Sequence, residues 1–90
     1  MSKKVRYQEA FDRCERAQER FVELTNELDA HTTHLLEILG MVDRGLPLPD
    51  IREASNRGVA LLVQLSESRT ELEAAKSELQ RVSAELLPEE

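Results

Sequence analysis

Tyr7, Cys14, Phe21, Leu28, Leu35 and Val42 follow one another at intervals of seven. An uncharged side chain returning at that period is the mark of a helix holding one continuous line of contact with a neighbour. Three residues on, Ala10, Ala17, Leu24, His31 and Ile38 form a companion row, and only His31 interrupts its apolar character. The second half repeats both rows, as Ile51, Gly58, Leu65, Leu72, Leu79 and Leu86 beside Ala54, Leu61, Ser68, Ala75 and Val82. A period that alternates three and four excludes sheet, and the dominance of Leu with no Trp and 3% aromatic residues agrees. The fold class is therefore all-α.

Asp43-Arg44-Gly45-Leu46-Pro47-Leu48-Pro49-Asp50 separates the two halves. Gly45 permits the left-handed conformation that closes a helix, Arg44 complements the negative end of its dipole, and Pro47 forbids continuation. Asp50 with Glu53 is an acidic form of the capping box, and Pro49 at a first helical position is an equally good start. One domain over residues 1–90 follows, with a helix over about 3–43, a turn over about 44–49, a helix over about 50–86 and a frayed tail at 87–90. Gly58 costs about 1 kcal/mol in a helix interior, but the heptad keeps its phase across it, so the second helix is expected to be continuous. So short a connection makes the helices antiparallel neighbours. It sets Val42 near Ile51, Leu35 near Gly58, Leu28 near Leu65, Phe21 near Leu72, Cys14 near Leu79 and Tyr7 near Leu86. The expected seam thus includes Phe21, Leu28, His31, Leu35, Leu65, Leu72 and Leu79.

One seam does not account for all the apolar residues. Leu36, Leu39 and Met41 on the first helix, and Val59, Leu62 and Val63 on the second, lie off the primary rows near the turn, and residues 59–63 are apolar all round. The distal half instead carries Glu15, Arg16, Glu19, Arg20, Glu71, Glu73 and Lys76 off its seam, the pattern of a wetted coiled coil. An elongated hairpin of this size is marginal alone, since even a compact domain below about 80 residues rarely nets more than about 3–5 kcal/mol. The expected remedy is self-association through the loop-proximal half into a four-helix bundle, as a homodimer or higher oligomer.

Charge narrows the partners. The net charge is -6, with six basic and six acidic residues in 1–28 but three basic and seven acidic in 67–90. Lys3, Lys4 and Arg6 are too short a patch to hold nucleic acid and are expected to be a solvated helix start. An acidic mimic of nucleic acid is a minor alternative, because Arg69, Lys76 and Arg81 interrupt the carboxylates. No segment reads as a signal peptide or membrane anchor, and the single Cys14 forms no internal disulfide, so the expectation is a cytoplasmic chain without membrane contact.

His31-Thr32-Thr33-His34 with Glu27 one turn earlier has ligand-like spacing, but the facing residues Val59, Leu62 and Leu65 offer no further ligands, so a seam histidine is the better reading. Cys14 lies roughly 25 Å along the helix from His31, too far for activation, and reads as a small core residue. With no phosphate loop, no paired cysteines and no converging catalytic set, neither enzyme activity nor a cofactor is expected. The sequence reads as a non-catalytic protein–protein interaction module, an adaptor or scaffold that binds itself and another protein. The alternative is a small chaperone or inhibitor that uses the same apolar patch to hold a partner's helix.

Overall fold

In a computed structural model the chain forms two helices, α1 (Lys3–Asp43) and α2 (Ile51–Glu85), which pack on each other as an antiparallel hairpin. The structure describes residues 2–47 and 50–87. The molecule is a rod with extents of 71 × 17 × 16 Å.

The ends of the helices are set by local chemistry. Ser2 caps α1, its hydroxyl accepting from the Val5 amide at 3.2 Å. At the other end Gly45 has φ +69, the Gly45 amide donates to the Val42 carbonyl at 3.1 Å, and the Leu46 amide reaches back to the Met41 carbonyl at 2.9 Å. This pair of bonds is a Schellman closure, and it needs a residue without a Cβ at the left-handed position. Arg44 Nε donates to the Gly40 carbonyl at 3.2 Å, so the expected basic complement to the helix end is present. Asp50 starts α2 by accepting from the Arg52 and Glu53 amides at 3.0 and 3.4 Å. Of the two starts read from sequence, the Asp50 cap is observed, and Pro49 lies outside the described residues. α2 runs unbroken through Gly58.

The buried centre differs from the row expected to form it. In α1 the buried residues are Ala10, Ala17, Leu24 and Ile38, and in α2 they are Ala54, Leu61, Ser68, Leu72, Ala75 and Val82. With the exception of Leu72, these are the companion rows. The primary rows sit beside the seam: Tyr7, Cys14, Phe21, Leu28, Leu65 and Leu79 are half-buried, while Leu35, Val42, Ile51 and Leu86 are exposed. In this hairpin the companion rows lie on the line of contact, and the primary rows flank it on one side, partly open to solvent. Small residues set the spacing at the middle of the distal arm, where Ala17, Leu72 and Ala75 form a cluster against which Cys14 and Phe21 pack.

At Gly58 a Cβ built on the backbone would lie 3.0 Å from Nε2 of His31, so the imidazole fills the space that the missing side chain leaves. That Nε2 is buried without a hydrogen-bond partner in the chain. His31 is thus held by shape against a glycine, not by a polar contact on that nitrogen. Nor is the basic start merely solvated: Arg6 pairs with Glu85 at 2.7 Å across the open end of the hairpin.

Candidate functional site

The two flanks of the hairpin follow from helix geometry. At about 100° per residue, side chains three before or one after a seam residue turn to one side of it, and those three after or one before turn to the other. The antiparallel helices are related by an approximate two-fold axis perpendicular to the hairpin plane. Rotation about it keeps each flank on its own side, so equivalent positions of α1 and α2 share a flank.

One flank is polar and closed by ion pairs. Three after the seam residues stand Arg13, Arg20, Glu27 and His34 in α1, and Arg57, Gln64, Glu71, Glu78 and Glu85 in α2. The ion pairs that join the helices lie here: Arg13 to Glu71 at 2.9 Å, Arg57 to Glu27 at 3.7 Å, and Arg6 to Glu85. Glu78 accepts from Arg81 at 2.6 Å, and this bond holds its carboxyl below the usual range against an opposing effect of desolvation, helped by the charges of Arg81, Arg13 and Arg6. Arg81 is raised in turn, by the same bond first and then by the charges of Glu78 and Glu85.

The other flank carries the primary rows, none of whose members is charged, together with Phe11, Leu39 and Leu62 one residue past the seam, an offset that in the distal half of α2 holds Arg69 and Lys76. Leu39 is 59% exposed, Leu62 55%, Val42 51% and Ile51 47%, values that leave about half of each residue in water. A shallow groove on this flank is lined by Phe21, Leu62, Leu65, Ser66 and Arg69. The grooves of the opposite flank are lined by residues such as Arg6, Glu9, Arg13 and Glu78 near the open end, and His34, Glu53 and Arg57 near the turn.

The apolar residues singled out in sequence therefore divide. Leu39 and Leu62 stand on the apolar flank. Leu36, Val59 and Val63 are exposed but project from the outer ridges, away from the seam, and Met41 is half-buried on the polar side. Sequence reading missed Phe11, which is 41% exposed and stacks on Tyr7 with ring centroids 6.4 Å apart. The signal was available: Phe11 follows Ala10 as Leu39 follows Ile38 and Leu62 follows Leu61. With Phe11 and Leu86 exposed near the open end, the distal arms also present large apolar side chains to solvent.

The histidines do not assemble a ligand set. Glu27 is engaged by Arg57, His34 Nδ1 lies 3.9 Å from Glu37, and the two imidazoles are 6.5 Å apart. Among the described residues there is no group of three or more His, Cys, Asp or Glu placed to hold a metal ion, and no helix long and apolar enough to cross a membrane. Cys14 is a free, half-buried thiol against the Ala17 cluster.

Comparison of the chain with protein-family models, with curated proteins and with solved structures returns no match.

Proposed function

We propose that this chain is a non-catalytic protein–protein interaction module that self-associates through its apolar flank, most strongly in the half next to the turn, and acts as an adaptor or scaffold for another protein. The carrying observation is the row of large apolar side chains left in water beside a completed seam, with Leu39, Val42 and Leu62 all more than half exposed. Three ion pairs of the polar flank join the helices and others form within each helix, which leaves that flank suited to water or to a charged partner surface.

Light scattering at ~50 µM, a working concentration for interfaces of micromolar or better affinity, tests the reading. A mass of twice the 10.3 kDa chain is expected, with Leu62→Arg running as a single, less stable chain. A native chain of single mass would contradict self-association and assign the flank to a helix of a different protein.

A further inference from the structure

We infer that a second copy of this chain covers the whole length of the apolar flank, so that two hairpins lie side by side as a closed two-fold pair, with the polar flanks outward. This rests on the self-association reading and goes further by naming the face, its extent and the stoichiometry.

Three observations carry it. First, the area fits. The single hairpin exposes 6961 Å². A compact monomer of 10.3 kDa would expose about 5,400 Å², so roughly 1,600 Å² per chain is in excess. Two copies burying that excess against each other make an interface of roughly 3,000 Å², within the span of obligate homodimers. Second, only one flank carries the large apolar side chains, with Arg69 and Lys76 the charged residues one past its seam. A chain that adds copies without end needs two different complementary surfaces, whereas one surface that meets its own copy closes at two. The ion pairs Arg6–Glu85, Arg13–Glu71 and Glu27–Arg57 occupy the opposite flank and give a further hairpin nothing apolar to bury. Third, the apolar flank does not stop at the turn-proximal half. It runs from Phe11 and Leu86, both exposed near the open end, to Val42 and Ile51 beside the turn. Covering it makes the primary rows the second core layer of a four-helix bundle, the layer that a two-helix rod leaves unfinished.

Neighbouring residues on different faces provide the test. Leu62 lies on the flank and Val63 on the outer ridge, and both are exposed in the single chain, 55% and 52%. In a Cys14→Ser background, Leu62→Cys and Val63→Cys are labelled with a maleimide at a concentration where the mass is that of two chains, and again after dilution to single chains. Leu39→Cys and Leu36→Cys repeat the comparison on α1, and circular dichroism confirms that each protein remains helical. At the higher concentration Leu62→Cys and Leu39→Cys should lose most of their reactivity and regain it on dilution, while Val63→Cys and Leu36→Cys react equally in both. A dimer with the protection reversed would leave self-association standing and overturn the flank. A mass of one chain at every concentration would overturn both, and a mass above two chains would overturn the closed pair.

Discussion

The two flanks of this hairpin are made by the same two helices, one turn of the wheel apart, and they solve the exposure problem in opposite ways. The polar flank is finished within the chain: arginines and glutamates of α1 meet their opposites on α2. The apolar flank is unfinished, with a row of side chains half in contact with the seam and half in water. The difference teaches that a heptad pattern does not say how far each row will be covered. This hairpin closes over its companion rows and leaves its primary rows partly open, a surface that another helix pair could cover.

Adjacent leucines break the comparison most sharply. Leu61 is 2% exposed at the seam and Leu62 points to the flank. Leu61→Ala should remove about 2–5 kcal/mol by leaving a cavity, enough to unfold much of the population at any concentration. Leu62→Ala should act mainly through association, shifting the thermal midpoint in a concentration-dependent way. Equal, concentration-independent losses in thermal melts would erase the distinction between seam and flank.

Next in size is the contact between Gly58 and His31, two turns into α2. Gly58→Val brings methyl groups against His31, where a Cβ alone would approach to 3.0 Å, and should cost about 1–3 kcal/mol by chemical denaturation. His31→Ala in the same chain should recover part of that loss, because the clash needs both partners. Additive losses would show that the imidazole does not pack there. Asp50→Ala should then cost about 1 kcal/mol, since two amides of the first turn of α2 lose their acceptor.

The polar flank should yield the smallest effects. Arg13→Ala should cost about 0.2–1 kcal/mol in low salt and less at high salt, as expected of an ion pair whose side chains remain largely exposed. Glu78 gives the pH direction. Its carboxyl lies below its usual value near 4.5 in the folded chain, so it stabilises the fold above that value. The contribution is lost as pH falls through the lower, folded value. Replacing it by Gln should therefore flatten the loss of stability as pH falls below about 4.5 while leaving the alkaline limb unchanged.

Much of the fold was legible because its determinants are local. The heptad rows, Gly45 at the left-handed position, Arg44 at the helix end and the Asp50 cap each act within a turn or two of backbone, and each is where the sequence placed it. What was not legible depends on the facing helix. Both rows were visible, but which row takes the centre depends on the facing helix, where Ala17 and Ala75 share a buried cluster and Gly58 makes room for His31. Arg6 reads as a solvated cation until Glu85 is brought beside it. The apolar surplus near the turn was evident, whereas its division into flank and ridge required the seam to be fixed first. That step returned Phe11 to the candidate surface and moved Leu36, Val59 and Val63 off it.

Small-angle X-ray scattering tests the central claim most directly, because forward intensity and radius of gyration come from one curve. The single chain has a radius of gyration of 20.3 Å along a 71 Å rod. Two hairpins side by side, with axes about 10 Å apart as packed helices are, should double the mass while raising the radius only to about 21 Å. A single-chain mass, or a doubled mass with a radius of about 40 Å from end-to-end contact, would contradict it.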